Sequence, residues 1–167
     1  LAGLVSEADV ASETAITQYL RQEFPEHDVM GEEATFKNPD QRHAKPGRWV
    51  LDPLDGTTNY IHQFPIYCVS IGFEWMGETV VAVINVPVFK KVYTARRGGG
   101  CFLNGHPIRV SSRETVEGSL FATGFTSYKA EILENQINVF RKIVSRGRGV
   151  RRAGSAAYDL CLVAEGV

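Results

Sequence analysis

The stretch Arg48-Trp49-Val50-Leu51-Asp52-Pro53-Leu54-Asp55-Gly56-Thr57-Thr58-Asn59 most narrows what this chain can fold into. Trp49, Val50 and Leu51 suit a buried strand. Pro53 keeps Asp52 out of the helical region, so the chain stays extended through the first carboxylate. Gly56 permits a sharp bend and a close approach of a ligand to the backbone. Thr57 onward opens a short helix, whose free N–H groups face the turn and suit an anion such as phosphate.

Asp52 and Asp55 share this turn. Two bare carboxylates about 4 Å apart repel by roughly 4 kcal/mol at an effective dielectric near 20. A bound cation removes that penalty. No His or Cys lies in the turn, so its ligands are all oxygen, which favours Mg²⁺, Mn²⁺ or Ca²⁺ over Zn²⁺. The plainer alternative is an Asp-Pro and Asp-Gly loop whose carboxylates cap turns. The Gly-Thr-Thr-Asn that follows and the upstream Gly31-Glu32-Glu33 favour the metal and phosphate reading.

Around the turn the pattern alternates between helices and strands. Residues 6–24 form an amphipathic helix, with Ala11, Ala15, Ile16, Tyr19, Leu20 and Phe24 on its apolar face. Ser6 and Asp9 fit a capping pair, which gives Asp9 a structural role. His27-Asp28-Val29-Met30 is a short strand, and residues 37–47 are a polar loop. Strands at 69–75, 79–86 and 88–95 form an antiparallel meander. Gly98-Gly99-Gly100 is a tight turn and lacks the Lys-Ser/Thr ending of a nucleotide loop. Asn104-Gly105 marks a hairpin. Residues 111–118 are polar and join two subdomains, 1–112 and 113–167. The second begins with a strand at 119–123, a helix at 130–145 and a further helix starting at Gly154-Ser155-Ala156-Ala157. Small residues there allow a ligand near the backbone, or simply close packing.

Net charge of −1 and the absence of a membrane-length apolar run point to neither nucleic acid nor membrane. Arg146, Arg148, Arg151 and Arg152 have no interleaved aromatics and are read as a solvated or salt-bridged strand edge. Cys68, Cys101 and Cys161 fit reduced thiols and a cytoplasmic location. His62 is read as an exposed loop residue.

GEE followed by DPLDGTTN resembles the inositol monophosphatase family of Mg²⁺-dependent phosphatases. Ser6-Glu7-Ala8-Asp9, Phe64-Pro65, Val69-Ser70-Ile71-Gly72-Phe73 and Arg152-Ala153-Gly154-Ser155-Ala156-Ala157-Tyr158-Asp159-Leu160 extend the resemblance over nearly the whole chain. It implies an α/β, α+β layered fold: an alternating α-β-α-β-α sandwich of the sugar phosphatase type, truncated in its C-terminal part. About one helix precedes Leu1 in that family. After Val167 it continues into a Trp-Asp-x-Ala-Ala-Gly-like segment bearing another metal ligand, then a substrate-contacting Glu. On this expectation activity belongs to the full-length parent, and the fragment alone has little.

The resemblance further implies two or three Mg²⁺ ions, replaceable by Mn²⁺, on Glu32, Asp52, Asp55 and the Leu54 carbonyl. Glu32 and Thr57 would align an attacking water, with Asp9 lining the metal site. Glu33 would be solvated or lie behind the ligands. Asp55, the N–H groups of Gly56 and Thr57, and Gly154, Ser155 and Ala156 would hold a small phosphorylated polyol, inositol 1-phosphate first. Li⁺ sensitivity and a homodimer are implied as well. The alternatives are fructose-1,6-bisphosphatase-like or nucleotide 3′-phosphatase activity, or a non-catalytic metal-binding fragment.

Overall fold

A computed structural model describes residues 5–32, 45–125 and 129–167. Glu33 and positions 37–44 of the polar loop lie outside the described residues. Helix α1 (Glu7–Glu23) begins at a complete capping box. The Ser6 hydroxyl accepts the Asp9 N–H at 3.3 Å, and the Asp9 carboxylate accepts the Ser6 N–H at 2.8 Å. The buried face of α1 differs from the apolar spacing. Ala11, Ala15 and Tyr19 are exposed, whereas Asp9 and Leu20 are buried. Polar docking explains the rotation: Ser12 Oγ donates to the Pro53 carbonyl at 3.1 Å, and Asp9 accepts from Thr57. These bonds turn a polar stripe of α1 toward the end of β2.

Among the described residues, seven strands form one sheet in sequence order. They are β1 (Asp28–Gly31), β2 (Gly47–Asp55), β3 (Cys68–Trp75), β4 (Glu78–Val86), β5 (Lys91–Arg96), β6 (Gly100–Leu103) and β7 (His106–Pro107). β1 runs parallel to β2, and every later pairing is antiparallel. Helix α2 (Thr57–Ile61) follows β2 directly. The expected third meander strand starts later than residue 88. Pro87–Phe89 is a 3₁₀ turn, Lys90 has φ 52°, and β5 begins at Lys91. Pro87 cannot donate to a ladder. Asn104 then fixes the bend by accepting the Val92 N–H at 2.8 Å and donating to the Lys90 carbonyl at 3.0 Å. Asn104 and Gly105 both have positive φ, as a two-residue hairpin turn requires.

Two helices cover opposite faces of the large sheet. Trp49 and Phe73 lie on one face, where Phe24, the C-cap of α1, packs with its ring 5.2 Å from that of Trp49. Cys68, Val86 and Tyr93 lie on the other, buried with Tyr158 and Cys161 of α4 (Ala156–Ala164). The far end of α4 is tied to β5: Lys91 Nζ lies 2.7 Å from Glu165, and the Tyr93 hydroxyl donates to Glu165 at 3.0 Å.

A second, two-stranded parallel sheet joins β8 (Leu120–Ala122) to β9 (Gly149–Arg151) through helix α3 (Ala130–Val144). This βαβ unit is the mixed α/β part of the fold. Arg146, at its edge, is salt-bridged to Glu117 at 2.7 Å. All three cysteines are free. Among the described residues no helix is long and apolar enough to cross a membrane.

Candidate active site

The site is built where three chain segments meet the C-terminal end of β2. The β2–β3 pairing slips between Asp52 and Asp55, so the strand leaves its regular ladder at the acidic turn. Gly56 then takes φ +104°, and a Cβ there would stand 2.9 Å from the Ile66 carbonyl. Only glycine fits that bend without strain. The backbone reverses into α2, which places Thr57 over the Leu54 carbonyl at 3.1 Å.

Glu32 and Asp52 come together although they leave different strands. Both line one cleft, and Glu32 and Asp55 are each near enough to act on the charge of Asp52. Burial first, then the Glu32 carboxylate, pushes Asp52 from its ordinary 3.8 up to about 7, against the pull of the Leu54 N–H that it accepts at 3.0 Å. Glu32 itself is exposed at the mouth of a cleft of about 550 Å³ that runs over Val50, Gly72 and Ala82.

Asp9 joins from α1. One carboxylate oxygen completes the capping box, and the other accepts the Thr57 hydroxyl at 3.0 Å. Both roles read for Asp9, cap and site residue, are therefore compatible in one rotamer. Asp9 is only 3% exposed, so its oxygens are satisfied by these donors rather than by bulk water.

Asp55 faces the start of α4. Its Oδ2 accepts the Ser155 hydroxyl at 2.8 Å and the Ala157 N–H at 2.6 Å. The Cys68 thiol lies 3.8 Å from the same oxygen, and its own pKa is pushed up to about 12, mainly by burial. Asp55 thus supplies the side-chain cap that Ser155, at the N-cap position of α4, does not. Ser155 is fully buried and reaches the turn only through Asp55, while Ala156 is exposed. Gly154 has φ +89° and abuts Asn59. His62 is exposed at the C-terminal cap of α2.

Among the described residues no three His, Cys, Asp or Glu side chains form a group spaced to hold a metal ion. The carboxylates instead fall into pairs: Glu32 with Asp52, Asp9 with Thr57, and Asp55 with the start of α4. The donor chemistry nonetheless fits a hard divalent cation. Glu32, Asp52 and the Leu54 carbonyl are all oxygen donors, and the penalty that burial and Glu32 place on an ionised Asp52 is one that a cation would remove.

That pair predicts a pH signature. From about pH 4 to pH 7 the native, metal-free protein keeps a proton on Asp52 that the unfolded chain has lost. Metal-free stability therefore falls as pH rises across that window. A cation on the pair relieves the penalty, so millimolar Mg²⁺ should raise the melting temperature several degrees more at pH 8 than at pH 5. Thermal scans with Mg²⁺ and with EDTA at both pH values check it, and an equal Mg²⁺ effect at both contradicts it.

Two polar contacts around this turn escape the sequence. Asn59 appears there only as the end of a motif, and Ser12 as one helix residue among others. Their partners, the carbonyls of Ala153 and Pro53, are backbone atoms and leave no compositional signal.

The inositol monophosphatase family model matches residues 2–167. A Pseudomonas aeruginosa protein named Nus factor SuhB is 44% identical over 164 residues, covering 97% of this chain and 60% of the relative. A fructose-1,6-bisphosphatase/inositol-1-monophosphatase of Aquifex aeolicus is 37% identical over 163 residues, covering 98% of this chain and 60% of the relative. The crystal structure of extragenic suppressor protein SuhB from Bartonella henselae matches with a TM-score of 0.88 at 34% identity, over 99% of this chain and 65% of that one. The chain spans about 60% of the length of these curated relatives.

Proposed function

This chain belongs to the inositol monophosphatase family, and from that membership we propose that it carries the metal- and phosphate-binding part of a phosphomonoester hydrolase acting on a small phosphorylated polyol, inositol 1-phosphate first. The observation that carries the reading is the convergence of Glu32 on Asp52, with Asp55 beside it, at the end of β2. Residues 1–112 form the subdomain that bears this pair, and residues 113–167 begin a second subdomain that lines the substrate.

Glu32, Asp52, Asp55 and the Leu54 carbonyl are the groups that would hold Mg²⁺, with Mn²⁺ an acceptable replacement. Such ions, when bound, supply charge neutralisation at the phosphate oxygens and a more acidic water. The protein's own part is positioning and proton handling. Thr57 Oγ1 accepts a hydrogen bond from the attacking water while its O–H donates to Asp9 Oδ1, 3.0 Å away. As the water oxygen bonds to phosphorus, its proton passes to Thr57 and the Thr57 proton to Asp9. Glu32 orients the same water. The bond from phosphorus to the ester oxygen breaks with its electron pair passing to that oxygen, which takes a proton from solvent water and leaves as the alcohol. The Gly56 and Thr57 N–H groups hold the phosphate. Asp55 and the backbone of Gly154, Ser155 and Ala156 face the hydroxyl-bearing ring.

Inhibition by Li⁺ and a homodimer belong to the same reading and rest on the family alone, and three free cysteines support a cytoplasmic location. The Aquifex relative's double name supports a second substrate, fructose 1,6-bisphosphate, for this site. Phosphate release by the full-length protein from inositol 1-phosphate, fructose 1,6-bisphosphate and a nucleoside 3′-phosphate, with Mg²⁺ or EDTA, tests the proposal. Mg²⁺-dependent turnover of the inositol ester above the other two is expected. Mg²⁺ binding without turnover of any of them would leave a non-catalytic metal-binding protein.

A further inference from the structure

Asn59 lies on α2, two positions beyond Thr57, and its amide is committed to two backbone carbonyls. Nδ2 donates to Ile66 O at 2.6 Å and to Ala153 O at 2.8 Å. Both protons of the amide nitrogen are used, which fixes its orientation. Ile66 belongs to the link between α2 and β3, whereas Ala153 lies 94 positions away, just after β9. The next residue, Gly154, bends with φ +89°, and a Cβ there would stand 2.9 Å from Asn59 Nδ2 and 3.0 Å from Oδ1. The Asn59 amide therefore sets where the chain turns as well as where the Ala153 carbonyl sits.

The same short segment is held a second time. Ser155 Oγ and the Ala157 N–H both donate to Asp55 Oδ2. Segment 153–157 is thus attached to segment 55–59 at two points, one on each side of Gly154. The Asp55 attachment holds the α4 side of Gly154, and the Asn59 bond holds its β9 side. Under the reading given above, segment 55–59 carries the phosphate side of the substrate and segment 153–157 the hydroxyl side. Their separation then decides whether a polyol ester spans both.

We propose that Asn59 is a positioning residue that sets this separation, and so controls selectivity for phosphate esters carrying ring hydroxyls. The proposal rests on the phosphatase reading. Asn59 touches neither the phosphate nor the ring; it acts through the Ala153–Gly154 backbone. Asn59→Asp is isosteric but turns a carboxylate oxygen toward the two carbonyls, so it should behave at least as badly as Asn59→Ala.

The test compares two esters on the full-length protein, inositol 1-phosphate and phenyl phosphate, which lacks ring hydroxyls. In Asn59→Ala, KM for the inositol ester should rise about ten- to a hundredfold, from the loss of two hydrogen bonds. The loss on phenyl phosphate should be smaller by at least tenfold. Gly154→Ala, which drives a Cβ against the same amide, should show the same selective defect. The double variant should be no worse than the poorer single one, since both act on one contact. Equal losses on the two esters, or additive defects, overturn the proposal and leave a purely structural role. If the wild-type protein releases phosphate from neither ester, the phosphatase reading fails by itself. Amide hydrogen exchange then still decides whether Asn59 fixes the segment. Exchange at residues 154–157 should accelerate tenfold or more in Asn59→Ala, and unchanged rates would overturn the proposal.

Discussion

Asp52→Asn should reduce phosphate release by about a thousandfold or more, the equivalent of roughly 4 kcal/mol of transition-state stabilisation, and yet make the metal-free protein more stable at pH 8. The first effect follows from charge. Asn keeps an oxygen to accept the Leu54 N–H, so the turn retains its shape, but it loses the negative charge that draws a cation. The second follows from the environment of Asp52. Its carboxyl is raised to about 7, by burial first and by Glu32 next, so ionising it above that pH costs the native state free energy. A neutral amide avoids that cost. Allowing for the solvent that reaches the pair, the gain is about 1–2 kcal/mol at pH 8 and vanishes near pH 4. Urea unfolding in EDTA at the two pH values, beside a phosphate-release assay, measures both. Retained activity, or a metal-free variant less stable than wild type at pH 8, would break the link between this pair and function. A stability gain bought at the expense of activity is the pattern expected of a site residue.

Thr57→Ala should lower kcat by about 10² to 10⁴ while leaving KM within a few-fold, the loss typical of a proton-transfer group. Thr57 has one proton and two acceptors for it, Asp9 Oδ1 at 3.0 Å and Leu54 O at 3.1 Å. Its oxygen stays available to a water. Removing the hydroxyl breaks the path to Asp9 but leaves the capping box and α1 in place, because Ser6 still holds the other Asp9 oxygen. The stability cost should be about 1–2 kcal/mol, that of depriving a buried carboxylate of one donor. Thr57→Ser keeps the hydroxyl and should recover most of the rate. Steady-state kinetics of both variants decide the matter. A serine variant as slow as the alanine one would assign the loss to the methyl group and to packing instead.

The parts of the site legible in the sequence are those set by local chemistry. The Ser6–Asp9 box, the Asp-Pro extension through β2 and the Gly56 bend each depend on residues within a few positions of one another. The parts that were not legible depend on long-range polar contacts. Asp55 meets Ala157 across 102 positions, and Asn59 meets Ala153 across 94. The buried face of α1 belongs with these. Apolar spacing assigned Ala11, Ala15 and Tyr19 to the interior, but hydrogen bonds from Ser12 and to Asp9 turned the helix by its polar side. The late start of β5 has a related cause, since the Asn104 side chain, not the apolar run, sets the bend at Lys90.

The proposed reaction requires the acidic groups at the end of β2 to accept a divalent cation. Crystals of the full-length protein grown or soaked with millimolar Mn²⁺ test this most directly, because Mn²⁺ scatters anomalously. The expected result is an anomalous peak between Glu32 and Asp52, within about 2.0–2.3 Å of carboxylate oxygens from both, and its loss in Asp52→Asn. A protein that hydrolyses inositol 1-phosphate in Mn²⁺ with no peak at that pair would contradict it.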